Sequence, residues 1–197
     1  MNKLINSIDE EIFLALNGSH SQFLDGLMLF ASNLFSSIPI LMLVACIATL
    51  YYKKQGYSHP VAKSVMLTTV LLLGFLFCLF VLPHAFSFLF ERTKPCLNPN
   101  ISTSVRMLGE DCNSSSSFFA VRPCIMFFIT SFLFFTIKND FPWVKAGLIT
   151  WSLLVSYSRI YLGVHYPFNV LIADLAGILF GFILSRFYFF MKYEVFA

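Results

Sequence analysis

Charge is scarce in this chain: only 12% of its residues are Asp, Glu, Lys or Arg, about half the share of a soluble domain. That scarcity excludes a disordered segment, a basic nucleic-acid arm and an ordinary soluble enzyme. No Cys/His spacing matches a zinc site, and no internal repeat or low-complexity tract is present; the run Ser114 to Ser117 is too brief. The N-terminus lacks the basic, apolar, small-residue order of a cleaved signal peptide. What is abundant is apolar bulk. The 197 residues are 58% hydrophobic with 25 Phe, and the mean hydropathy is +0.78. The composition points to an all-α, polytopic membrane bundle, with the whole chain, 1–197, as one domain.

Uncharged stretches predict five spans. Gly26 to Tyr52 is too long for one straight helix, and Pro39 with the Ser36–Ser37 pair suggests a break. It reads as a short amphipathic helix over Gln22 to Phe35 and a first span over Ile38 to Tyr52. Val65 to Leu82 fits a second span, which Pro83 should end, because proline lacks an N–H and disfavours helix in the residue before it. The third, fourth and fifth are expected over Phe118 to Ile137, Trp143 to Val164 and Asn169 to Phe190. Leu4 to Leu16 reads as a short amphipathic N-terminal helix, with Ser7 as N-cap and Glu10 three residues on.

Lys53, Lys54, Lys63, Lys138, Lys145, Arg186 and Lys192 gather at one set of span ends, which the positive-inside rule makes cytoplasmic. The loop 83–117 and the turn Gly163 to Phe168 then face the outer side, with Lys3, Arg92, Lys94, Arg106, Arg122 and Arg159. Cys46, Cys78 and Cys124 fall in spans and read as small buried residues. Cys96 and Cys112 bracket the outer loop, and in an oxidising compartment a disulfide between them would contribute about 3 kcal/mol on the loop-entropy account.

The most informative stretch runs from Ser156 to Asn169. Arg159 near a span end either snorkels at the interface or faces a polar cavity. His165 follows six residues later. Pro167 suits a helix start, and Asn169 lies one helical turn beyond His165. In the fifth span, Asp174 should face the bundle or a partner, and Gly177 with Gly181 would permit close helix approach or a homo-oligomer contact.

Ser158-Arg159, His165 and Asn169 resemble the third signature of the type 2 phosphatidic acid phosphatase superfamily, which also includes vanadium haloperoxidases: Ser-Arg, five residues, His, three residues, Asp. The surrounding text, from Ser158 to Pro167, resembles bacterial lipid-phosphate phosphatases beyond the motif. The resemblance extends from about Asp9 to the C-terminus. It implies a helical membrane bundle in the bacterial inner membrane, with a site at its outer end, ligands that are lipids with phosphate heads, no nucleic acid, and no metal or other cofactor. By resemblance His165 is the nucleophile that attacks phosphorus, and residue 169 orients it.

The sequence departs from the family pattern elsewhere. The first signature is Lys, six residues, Arg-Pro; here Ser87 stands for the lysine and Lys94-Pro95 for Arg-Pro, with Arg92 nearby. Arg122 stands where the second signature has its proton-donating histidine, or, on a tighter placement, Phe119 does. Asn169 is isosteric with Asp but neutral. The comparable Asp-to-Asn change in a serine-protease triad costs about 10⁴ in rate, and loss of a general acid about 10²–10⁴. Arginine remains protonated and cannot replace that acid. Three readings follow. The chain is a degenerate member that keeps a pocket for lipid phosphate or pyrophosphate, using Arg159, Lys94, Arg92 and Arg122. Alternatively it is an active phosphatase on a lipid phosphate or undecaprenyl-type pyrophosphate, with His165 as nucleophile and His84 as a substitute proton donor. Or it is a non-catalytic membrane scaffold.

Overall fold

A computed structural model describes residues 3–33, 37–56, 59–89, 92–109, 118–137 and 141–196. The N-terminal pair is α1, Lys3–Gly18, and α2, Gln22–Ser32. Helix α3 spans Ser37–Lys54. Helix α4, Pro60–Leu76, runs through a π-turn, Phe77–Val81, into α5, Leu82–Leu89. Single 3₁₀ turns at Pro95–Leu97 and Ser102–Ser104 punctuate the loop 92–109. Then come α6, Val121–Thr136, α7, Pro142–Tyr161, and α8, Pro167–Phe196. No strand occurs among the described residues.

The long segments fall where the spans were expected. Two of them, Pro60–Phe88 and Pro167–Tyr193, are by length and hydropathy sufficient to cross a membrane, and Val121–Thr136 is a shorter apolar helix. Met42, Leu73, Leu153 and Ile183 are exposed large apolar side chains on α3, α4, α7 and α8. Such an outward apolar surface suits lipid, not water.

Helix α6 is the axis of the bundle, buried along most of its length. Helix α8 closes on it through glycine: a Cβ at Gly181 would lie 2.6 Å from the Phe128 carbonyl oxygen, and one at Gly177 would overlap the Cys124 carbonyl. The two glycines therefore serve an internal contact, and the face that could have met a second chain is filled by α6. Interhelical hydrogen bonds add to packing where hydrocarbon supplies no driving force. Thr130 meets Ser152 at 2.8 Å, Ser131 Oγ donates to Ile178 O at 2.8 Å, and Thr49 meets Ser64 at 2.8 Å. Ser156 Oγ donates to Asp174 Oδ1 at 2.8 Å, so Asp174 is satisfied by α7 within the chain.

One end of the bundle gathers the lysines. Lys53 and Lys54 close α3, where cations complement the helix dipole. Lys192 lies over Tyr52 and Lys54 over Phe141, while Tyr52 and Tyr188 hydroxyls meet at 2.5 Å. The opposite end holds the C-termini of α2 and α7, the N-termini of α6 and α8, and the loop 92–109.

Three local expectations need correction. Pro83 does not end the second span. The π-turn before it carries an i to i−5 bond from Leu82 N–H to Phe77 O, and this widened turn lets the helix pass a residue that cannot donate. Ser7 is not an N-cap, because α1 begins at Lys3. Cys46 is exposed on α3, not buried, although Cys78 and Cys124 are buried, and all three are free thiols. The end of the amphipathic segment expected over Gln22 to Phe35 lies partly outside the described residues.

Because Gly177 abuts backbone, substitution cannot be absorbed by a rotamer change. Gly177→Leu is expected to lower the melting temperature of the purified protein by far more than Gly147→Leu, whose surroundings are open. Overpacking costs typically about 1–3 kcal/mol. Equal melting temperatures would show that α8 does not rest on α6 there.

Candidate active site at the arginine end of the bundle

The stretch from Ser158 to Asn169 turns from α7 into α8 through a tight loop. The carbonyl of Arg159 accepts from both Val164 N–H, 3.1 Å, and His165 N–H, 3.2 Å. That folds His165 back over the last turn of α7. Gly163 makes this possible. Its φ is +80°, and a Cβ there would lie 2.7 Å from Arg106 O, so both conformation and space demand glycine. Pro167 opens α8 with φ already suited to a helix. Arg159, His165 and Asn169 are all buried.

Arg159 and Arg122 meet at one residue. Arg159 Nη1 donates to Ser32 Oγ. Arg122 Nη1 donates to the same Oγ at 2.9 Å and to Ser32 O. Ser32 ends α2, Arg122 lies in the first turn of α6, and Arg159 lies in the last turn of α7. Three elements thus bring two guanidinium groups to one small oxygen.

Arg92 occupies a different place. Its Nη1 pairs with Asp9 Oδ2 at 2.5 Å and donates to Asn169 Oδ1 at 3.2 Å. Its guanidinium lies 3.7 Å from the centroid of the Tyr166 ring, a favourable cation–π geometry. Asp9 also caps α8, accepting from Phe168 N–H through Oδ1 at 2.9 Å. The side-chain oxygen of Asn169 is therefore turned toward Arg92. Asn98 joins the assembly by donating to Glu10 and Tyr166.

A second network fixes the loop. Asn17, buried, donates to Tyr161 O at 2.8 Å and Arg106 O at 2.9 Å, and accepts from Arg106 N–H at 2.8 Å. Arg106 grips Asp25 with two bonds, 3.0 and 2.7 Å, and Tyr161 donates to Asp25 at 2.6 Å. The Arg106 and Tyr161 bonds lower the Asp25 pKa from 3.8 to about 2.

The remaining expected site residues sit as follows. Lys94 is half-buried and precedes the first 3₁₀ turn, its carbonyl accepting from Leu97 N–H. His84 is exposed on α5, and its Nδ1–H donates to Phe80 O at 2.6 Å on the preceding turn. Phe119 is buried and stacked on Phe86 with centroids 4.5 Å apart. Cys96 is disulfide-bonded; Cys112, its expected partner, lies outside the described residues. No group of His, Cys, Asp and Glu suited to a metal ion occurs among the described residues.

Sequence reading missed Asp9, Asn17, Asp25 and Ser32. The acids carried a usable signal: in a chain with 10 Asp and Glu, Asp9 and Asp25 on the N-terminal helices had arginines to face. Ser32 carried none.

The sequence profile of the PAP2 superfamily matches residues 64–193. The chain belongs to this superfamily. It is also 25% identical over 189 residues to the lipid A 4'-phosphatase of Porphyromonas gingivalis, covering 95% of this chain and 76% of that protein. Its fold is similar to the crystal structure of Aquifex aeolicus LpxE, with a TM-score of 0.62 at 23% identity, covering 89% of this chain and 93% of that one. The PAP2 match includes Lys94, Arg122, Arg159, His165 and Asn169. Asp9, Asn17, Asp25 and Ser32, which hold those residues or their loops, precede it.

The depressed pKa of Asp25 gives a pH signature. A lowered carboxylate contributes stability that is complete above its unfolded pKa, near 3.8, and is lost as pH falls toward 2. Wild type should melt above Asp25→Asn at pH 5 to 7, and the gap should close between about pH 4 and pH 2. A gap that persists unchanged at pH 2 would contradict the pairing.

Proposed function

We propose that this PAP2 superfamily chain is an integral membrane protein that holds the phosphate or pyrophosphate head of a lipid at the outer face of the bacterial inner membrane, with slow hydrolysis or none. The observation that carries this reading is the meeting of Arg122 and Arg159 at Ser32, beside the turn that seats His165. Two planar forks aimed at one point suit a tetrahedral anion, whose several oxygens accept many N–H bonds at once. Ser32 Oγ would be a third contact or would yield its place to a phosphate oxygen.

Slow chemistry follows from the same residues. His165 can attack phosphorus only with its lone pair exposed and its other nitrogen oriented. Asn169 has turned its oxygen to Arg92, and as a neutral amide it cannot stabilise the developing imidazolium as a carboxylate would. Arg122 binds charge but cannot protonate a leaving oxygen near neutral pH. Lys94 would add positive charge. Arg92, already paired with Asp9, would act chiefly by placing Asn169.

The extended similarity to a lipid A 4'-phosphatase favours a second reading, an active phosphatase, and makes a lipid A phosphate the first substrate to try. Pyrophosphates come next, because a better leaving group needs less acid help.

The test is phosphate release by purified protein from lipid A, phosphatidate and polyprenyl pyrophosphate, beside binding of the same lipids. On the first reading, Arg159→Ala abolishes binding, and wild-type release is no greater than that of His165→Ala. Arg122→His with Asn169→Asp should then raise release by about 10²-fold or more. Binding that survives Arg159→Ala would overturn the reading. Wild-type release that vanishes in His165→Ala would establish the second, and unchanged release in His84→Ala would remove His84 as the donor.

A further inference from the structure

The head site accounts for a phosphate and leaves the lipid's hydrocarbon unplaced. A cleft of about 460 Å³ opens between α1 and the start of α8, lined by Ile8, Asp9, Ile12, Pro167, Phe168 and Leu171. We propose that this cleft seats one hydrocarbon chain of the phosphorylated lipid whose head lies at the Arg159 turn. The inference rests on the head-site reading above and extends it to the tail.

Continuity comes first. Pro167 and Phe168 follow His165 within three residues and precede Asn169. Asp9, in the opposite wall, holds Arg92, which in turn bonds Asn169. The cleft wall is therefore bonded, through Asp9 and Arg92, to Asn169, one helical turn from His165.

The chemistry of the walls agrees. Ile8 and Ile12 are one helical turn apart and form a row on α1; they are 48% and 46% exposed, and Leu171 across from them is 53% exposed. Leu171 lies four residues along α8 from Pro167, about 6 Å farther from the turn. The apolar row thus leads away from the head and along the span. Asp9 is the charged lining residue, and its side chain is 6% exposed. One carboxylate oxygen is committed to Arg92 and the other to Phe168 N–H. Hydrocarbon entering the cleft would not strip water from a bare charge. The volume of about 460 Å³ lies within the range of small-molecule clefts, and the cleft is open on one side, as a hydrocarbon chain entering from the bilayer requires.

The experiment uses the full chain in phosphatidylcholine nanodiscs doped with phosphatidate carrying a photoactivatable diazirine in one acyl chain. Crosslinked peptides are mapped by mass spectrometry. The control lipid is phosphatidylcholine with the same diazirine chain, which lacks a terminal phosphate. The expected result is labelling of α1 around Ile8 and Ile12 and of α8 around Leu171 by phosphatidate, lost in Arg159→Ala. Leu171→Trp, at an exposed position, should fill the cleft and remove the label while leaving inorganic phosphate binding intact. Equal labelling by both lipids would give the cleft to bulk bilayer and overturn the proposal. A crosslink joining two chains there would give it to a second copy and likewise overturn it. Arg159-dependent labelling elsewhere would leave the head site standing and move the tail. No Arg159-dependent labelling anywhere would remove the head-site reading, and the cleft's role with it.

Discussion

A guanidinium held at the end of an apolar bundle needs oxygen acceptors within reach, because burial of an ion is tolerated only when it is paired and hydrogen-bonded. This constraint organises the end of the molecule opposite the lysines. Arg92 has Asp9, Arg106 has Asp25, and Arg122 and Arg159 have Ser32. All these acceptors come from α1 and α2, which are too short and too polar to serve as spans. The N-terminal helices are therefore the source of counter-charge and of the bonds that hold the loops, while α6, α7, the loop 92–109 and the turn before α8 supply the cations and the histidine. Neither part makes the site without the other.

Much of the fold could be read because hydrocarbon imposes so narrow a choice. Backbone polar groups in lipid must be satisfied within the segment, so uncharged runs become helices. The placement of α6, α7 and α8 followed from this, and so did the sorting of lysines to one end. The site was legible in part. Ser158 to Asn169 is local in sequence, and the proline, glycine and arginine that shape its turn are visible in it. Contacts between distant segments were hidden. Asn17 reaches Tyr161, and Ser32 reaches Arg122 and Arg159, through packing that no spacing rule encodes. Arg92 was read as a ligand for phosphate from its charge and position; only three-dimensional proximity reveals that Asp9 and Asn169 hold it. Pro83 misled because the rule about proline concerns a regular α-helix, and the chain departs from that regularity just before it.

On the proposed reading, in which Arg122 holds the place of the motif histidine, the departures from the family pattern at positions 122 and 169 act in one electrostatic direction. Arginine for a titrating histidine, and asparagine for an acid, both make the turn more positive. A site altered in this way gains attraction for a phosphate in its ground state as well as in its transition state. Attraction of that uniform kind tightens binding without speeding turnover. On that reading, retention of the ligand and slow chemistry are compatible outcomes of the same two substitutions.

The π-turn at Phe77–Val81 has an effect at a distance. One extra residue in a helical turn rotates everything beyond it by about 100° about the axis. In α5 that rotation is what carries Phe86 onto Phe119, immediately before α6 and three residues from Arg122. The aromatic cover over this helix start is thus set by a dislocation two turns earlier, deep in the span. Deleting a single residue there would restore a regular helix and swing Phe86 off its partner, so this end of the chain is sensitive to length, not only to composition, in a segment two turns away.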